Sequence, residues 1–242
     1  VTRIVAADRA SSRPVPVEVP TVPHAAPPPT ARLPLRDELF LLGHDDDDGR
    51  CRLHPPVLSV GLAGATLIEL FLAGALRLHT DRIVVHARDP VGDPITDAAL
   101  TALLQTRGAA VLRPWLRWFA DDLYERTRAG LVAAGVLHHT THRRFGLLPV
   151  SSYRPVDTTW VIRIRGYLRS VLYGHRQPDN QCAALCGLAA VLGLGGFLYI
   201  DAATEHIRAG LHEIARGHYP DVRAITAAVD EAVGDITVAV YR

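Results

Sequence analysis

The chain has no lysine and no methionine, and only three cysteines. Each absence excludes something. All 26 cationic side chains are arginine, so any contact with an anion is made by a planar guanidinium rather than a flexible ammonium. Methionine is missing even at position 1, where Val1 stands; a GC-rich bacterial coding sequence with its start codon read as valine is expected to look this way. Cys51, Cys182 and Cys186 are odd in number and lack framework spacing, which excludes a disulfide scaffold and fits a reducing, cytoplasmic compartment. Cys182 and Cys186 would share one helix face. They read as buried thiols rather than a metal pair, because no second Cys/His pair stands at zinc spacing. The formal net charge is +1, so no global field draws the chain to nucleic acid or membrane, and any anionic partner must meet a local patch.

Catalytic signatures are missing too. There is no G-x-S-x-G elbow, no P-loop and no G-x-G-x-x-G after a strand. The segment 212-HEIAR-216 lacks the second histidine of a zinc helix. The run 193-GLGG-196 is too short for a nucleotide loop. No catalytic residue, metal or cofactor is expected. The N-terminus has no apolar segment of signal-peptide type.

What is present begins with proline. Residues 1–33 hold all but the last residue of 14-PVPVEVPTVPHAAPPPTARLP-34. Proline this dense forms neither helix nor central strand, and a disordered tail is expected. The folded domain is expected over 34–242. A short helix over 34–42 leads to 44-HDDDDGR-50, which fails the calcium-loop pattern because Pro56 stands where a glutamate is needed; a solvated turn between short strands is expected. The stretch 61-GLAGATLIELFLAGALRLH-79 is almost wholly apolar and continues a helix over 56–73. Hairpins follow at 76–87 and 136–150. Further helices are expected at 97–105, at 115–134 with a break near Ala120, and at 158–173, 180–193, 202–216 and 221–240. The run 181–200 is long enough to span a membrane, but its Gly and Ala content reads as a buried central helix. The fold class is mostly α: a helical bundle with two small β-hairpins.

Two features carry the chemistry. Glu69 is the lone acid in the apolar helix, with no titratable group at i±3 or i±4. It reads as a structural carboxylate that accepts hydrogen bonds from an arginine or from backbone amides, since an unpaired buried carboxylate is too costly. From Arg143 to Arg176 seven arginines face a single acid, Asp157. Such a segment suits an anionic membrane, nucleic acid phosphates or a solvated, ion-paired face. The motif 138-HHTTH-142 reads as an exposed hairpin surface rather than a metal site.

The segments 36-RDELFLLGHDDDDG-49, 61-GLAGATLIELFLAGALRL-78 and 131-LVAAGVL-137, with the hairpin after the last, resemble the Golgi phosphoprotein 3 family. The resemblance runs from Leu35 to the C-terminus. It implies a helical bundle with a protruding hairpin. Eukaryotic members are peripheral membrane proteins that bind phosphatidylinositol 4-phosphate and hold glycosyltransferases by their cytoplasmic tails. By this resemblance the headgroup site falls on His54, Ala63, Asp121 and Tyr124, where the family has a tryptophan and three arginines. All four are changed, and Asp121 reverses a charge. Arg126 and Arg128 lie close by as substitutes, but on other helix faces. The hairpin, 136–149, adds Arg143, Arg144, Phe145, Leu147 and Leu148, a mixture suited to a membrane interface or to self-association.

The expectation is a non-enzymatic, cytoplasmic peripheral membrane adaptor. Its lipid-contact residues are His54, Tyr124, Arg126, Arg128, Arg143 and Arg144, its ligands anionic phospholipid headgroups, and its further partners membrane-protein tails or a second copy. The alternatives are a soluble protein–protein scaffold and a winged-helix-like nucleic-acid-binding regulator. Asp121, Asp122 and Glu125 stand against the latter, so no nucleic acid is expected.

Overall fold

The computed structural model describes residues 32–144, 148–198 and 203–240; the proline-rich segment expected to be a disordered tail lies outside these, apart from its last two residues. The order is α1 (Leu35–Leu42), α2 (Pro55–Leu72), β1 (Leu76–His79), β2 (Arg82–Val85), α3 (Pro94–Gln105), β3 (Ala110–Val111), α4 (Leu112–Phe119), α5 (Leu123–Ala133), β4 (Leu137–Arg144), β5 (Leu148–Pro155), α6 (Thr159–Leu172), α7 (Asn180–Val191), a 3₁₀ turn (Leu194–Leu198), α8 (Thr204–Arg216) and α9 (Pro220–Val240).

Helix α2 is the axle. It starts where the chain predisposes it to start, with His54 extended and Pro55 and Pro56 in the first turn. It has no polar face, and every residue from Leu58 to Ile68 is buried. Among the described residues it is the one helix long and apolar enough to cross a membrane, and 72% of it is buried inside the protein. Helices α1, α3, α4, α5, α7 and α9 pack around it. Small residues let them come close: a methyl on Gly64 would run into the Val229 side chain of α9, and one on Gly61 into Leu192. Helix α7 is the second buried rod, with every residue from Cys182 to Ala190 inside. The apolar run 181–200 is therefore divided between this helix and the 3₁₀ turn. Cys182 and Cys186 are buried free thiols. The hydrogen bond with Cys182 and burial both push the Cys186 thiol far up, which leaves it inert.

The sheets are peripheral. Strands β1 and β2 form the expected hairpin around Thr80 and Asp81, with Leu76 paired to Val85. A third strand, β3, adds to β2 through Arg82–Val111 and Ile83–Ala110. It was not expected, since two residues have no periodicity to read. The second hairpin pairs β4 with β5 from Leu137–Pro155 to Arg144–Leu148. It is longer than expected because Ser151 to Pro155 continue the ladder. The break near Ala120 separates α4 from α5, and α4 begins already at Leu112.

Glu69 is held as a structural acid. Its two oxygens accept from the Arg36 backbone N–H at 2.9 Å and the Thr96 hydroxyl at 2.8 Å. The Arg36 guanidinium, 2% exposed, lies 3.7 Å from Glu69 and pairs with Asp93 at 2.7 Å and Asp37 at 2.9 Å. One cation thus ties α1, α2 and the N-cap of α3 together. Burial raises Glu69 and Asp37 above their ordinary values despite Arg36. Burial acts on Asp93 too, but the Arg36 guanidinium and the Thr96 backbone N–H outweigh it and hold Asp93 at about 2.

Replacing Arg36 by Met is expected to cost about 3–5 kcal/mol in urea unfolding at neutral pH, because it strands carboxylates that burial already disfavours. The deficit should shrink on acidification, as Glu69 and Asp37, raised in the folded state, take up protons. A deficit independent of pH would contradict the assignment.

Candidate functional site

Three cavities border α5, and they divide the side chains expected to act together. The first, about 460 Å³, lies between the start of α2 and the α4–α5 junction; its walls include Pro55, Pro56, Ser59, Asp121, Tyr124 and Glu125. The second, about 550 Å³, lies between the 44–51 turn, α5 and the root of the β4–β5 hairpin; it takes Tyr124, Arg128, Arg50 and Arg154. The third, about 580 Å³, lies between α3 and α5 and takes Arg126 with Arg36, Asp37 and Asp93.

The first cavity has the wrong charge for a phosphate. Asp121 and Glu125 reach it, and its one cation, Arg117, is bound to Asp235. Ala63 is fully buried and takes no part. His54 is exposed, immediately before the prolines that line the cavity. Arg126 and Arg128, two residues apart on a helix, diverge into different cavities. Arg126 approaches Asp122 at 3.5 Å, and Arg128 bonds Glu125. The expected set His54, Tyr124, Arg126, Arg128 is therefore not one rim. Arg143 and Arg144 end β4, and Arg144 pairs through its backbone with Leu148; their side chains, that of Leu148, and residues Phe145 and Leu147 lie outside what is described.

A family model for Golgi phosphoprotein 3 (GPP34) matches residues 35–236, nearly all of the described chain. The chain belongs to the Golgi phosphoprotein 3 family. The match begins at α1 and ends within α9, so the mostly helical architecture with its two small sheets is that of the family domain.

In this family member Tyr124 stands in the wall between the first two cavities, and a buried histidine fixes it. His44 Nε2 and the Tyr124 hydroxyl are 2.8 Å apart, and His44 Nδ1 lies 2.7 Å from the Phe40 carbonyl oxygen. The carbonyl can only accept, so Nδ1 carries the proton and Nε2 accepts from the tyrosine. The Phe40 ring stacks on His44 with centroids 4.1 Å apart. Burial pushes His44 down from 6.5 to about 4, helped by the charges of Arg128 and Arg52. Burial likewise pushes Tyr124 up to about 12. The aspartate run is structural: Asp45 accepts from the Asp47 and Asp48 amides, Asp46 binds Arg165 of α6, and His44 and Cys51 bridge across the turn.

Sequence reasoning missed Arg50, Tyr153 and Arg154 as neighbours of Arg128. Arg154 stood in the arginine-rich segment, but only the folded hairpin brings it to the 44–51 turn. His44 carried no signal beyond its place next to the aspartates.

The unfolded chain protonates His44 at a higher pH than the folded protein does. Stability is therefore lost as pH falls from 6.5 towards 4, by roughly 3 kcal/mol in full. Thermal unfolding of wild type and His44→Phe across this range should show the slope in the former and its loss in the latter. Parallel curves would refute the buried neutral histidine.

Proposed function

We propose that the protein is a non-enzymatic adaptor that sits peripherally on the cytoplasmic face of a membrane and contacts anionic phospholipid headgroups. One observation carries this reading beyond family membership: the solvent side of α6. Ile162, Gly166, Arg169 and Tyr173 recur at helical spacing, and all are exposed. Ile162 is 63% and Tyr173 51% exposed, and Val156, just before the helix, is 60% exposed. Arg154, Arg163 and Arg176 are exposed along the same stretch of chain. Large apolar side chains among arginines suit a headgroup layer, where each basic residue contributes ~1 kcal/mol next to anionic lipid and apolar bulk enters the interface.

Arg165, which sequence counting placed in the same basic set, turns inward to Asp46. The surface therefore has fewer cations than the raw tally. It has them beside hydrophobic side chains, which a purely solvated face does not need. The acidic first cavity argues that the headgroup contact differs from the one the family resemblance implies. The hairpin, with Arg143, Arg144, Phe145, Leu147 and Leu148, supplies the second contact in this reading, with the membrane or with another copy. Cytoplasmic tails of membrane proteins are the clients it would hold.

Flotation with vesicles carrying phosphatidylglycerol is the test. Protein is expected to float at physiological ionic strength and to be released by high salt, because the Debye length shrinks from about 8 Å to about 3 Å at 1 M. Folded protein left entirely in the dense fraction at low salt would overturn the reading.

A further inference from the structure

The third cavity, between α3 and α5, joins apolar walls to a charged cluster. Pro94 and Ile95 of α3 and Ala129, Gly130 and Ala133 of α5 line it, and side chains this small on α5 leave the space between the helices open. Thr127 lines it too. That residue is 1% exposed, and among the described residues its hydroxyl has no hydrogen-bond partner. A threonine inside a helix can bond the carbonyl one turn back, as Thr66 bonds Leu62 and Thr226 bonds Val222, each at 2.9 Å. Thr127 does not. A buried hydroxyl left unmet costs free energy unless a further group meets it.

The carboxylates of the same lining are short of positive charge. Asp37 accepts from the Arg36 guanidinium through Oδ1, at 2.9 and 3.1 Å. Its Oδ2 has no hydrogen bond among the described residues, although the side chain is only 15% exposed. The Arg36 guanidinium is already shared with Asp93 and Glu69. Arg126, the other cation of the lining, approaches Asp122 at 3.5 Å and has its guanidinium 5.5 Å from the Phe119 ring centre. Asp122 balances Arg126. Even with Glu69 neutral, Arg36 alone then serves both Asp37 and Asp93, and one negative charge is left over. Burial holds the Asp37 carboxyl above its usual value despite Arg36, as befits a carboxylate with too little cation beside it.

We propose that this cavity binds a small primary alkylamine as its ammonium ion. The ammonium brings the missing positive charge and N–H donors, with no acceptor of its own. Asp37 Oδ2 and the Thr127 hydroxyl are the acceptors that lack a donor, and Asp93 shares the surplus charge. The hydrocarbon part lies against Pro94, Ile95, Ala129 and Ala133, in a space of about 580 Å³. A quaternary ammonium has the charge but no N–H, and leaves both acceptors unmet. An alcohol has a donor but no charge. An anion is repelled by the surplus carboxylate. Among the described residues no group of three or more His, Cys, Asp or Glu is arranged to hold a metal ion. The inference does not rest on the membrane reading given above.

The whole chain is titrated calorimetrically with n-butylamine at neutral pH, in a phosphate buffer free of other amines and into the millimolar range, as a ligand of so few atoms requires. Binding is expected, and 1-butanol and tetramethylammonium at the same concentrations should give none. Thr127→Val keeps the shape and removes the hydroxyl, and Asp37→Asn removes the charge. Each should weaken butylamine binding by about tenfold, as loss of a hydrogen bond to a charged group implies. Thr101→Val on α3, whose exposed hydroxyl bonds the Asp97 carbonyl, should leave it unchanged. Thermal unfolding separates the site from packing. Thr127→Val should be no less stable than wild type without amine, since an unmet hydroxyl is gone, yet should lose the rise in Tm that butylamine gives wild type. A Thr127→Val protein that binds butylamine as wild type does overturns the site. So does folded wild type that binds no butylamine, or that binds butanol or tetramethylammonium equally well.

Discussion

A helix without a polar face has to be surrounded, and α2 sets that demand for the whole domain. Its apolar surface is too large for any single neighbour, so helices from both halves of the chain close around it, from α1 to α9. Gly61 and Gly64 let the late helices approach its backbone. The single carboxylate on this rod is then forced to be matched internally, and Arg36 matches it while also binding Asp93 and Asp37. The charge cluster follows from the apolar constraint. It joins α1, α2 and α3 through one guanidinium, and such buried pairs repay little beyond their desolvation.

With the interior committed, chemistry is left to the periphery. The hairpin, the 44–51 turn and the outer face of α6 are held by a few polar contacts, and the arginines concentrate there. Guanidinium groups whose partners are fixed by the fold, Arg36 and Arg165, are the buried ones. Several exposed ones, among them Arg50, Arg117, Arg208 and Arg216, pair with carboxylates at the surface, where such pairs contribute little. This division separates the arginines buried as struts between elements from those at the surface. Tyr124, with its hydroxyl donated to His44, forms the partition between an acidic and a basic cavity. Two neighbouring hollows on one surface therefore have opposite preferences for charge.

Much of the architecture was legible in the sequence. The apolar run around Glu69, the glycine and proline punctuation and the hairpin at Thr80–Asp81 gave the elements and the mostly helical class. The environment of Glu69 was legible as well, because a lone carboxylate in hydrocarbon has few physical options. The rest was not. Ala110–Val111 is too short to have a pattern, and the polar segment Ser151–Arg154 does not advertise a strand until its partner is known. Helical spacing already put Arg126 and Arg128 on other faces, but which cavity each would enter was not readable. The grouping of Arg50, Arg128 and Arg154 joins three segments widely separated along the chain, and no local spacing encodes it.

At Gly49, with φ +71°, the 44–51 turn lies so close to the Tyr153 carbonyl of β5 that a methyl would overlap it. The distance between turn and strand is set by a hydrogen atom where any other residue would place a carbon. Any side chain there would meet the Tyr153 carbonyl and would also have to take up a left-handed backbone, so a replacement pushes the turn off the strand. The fit between turn and hairpin therefore depends on a position that has no side chain at all.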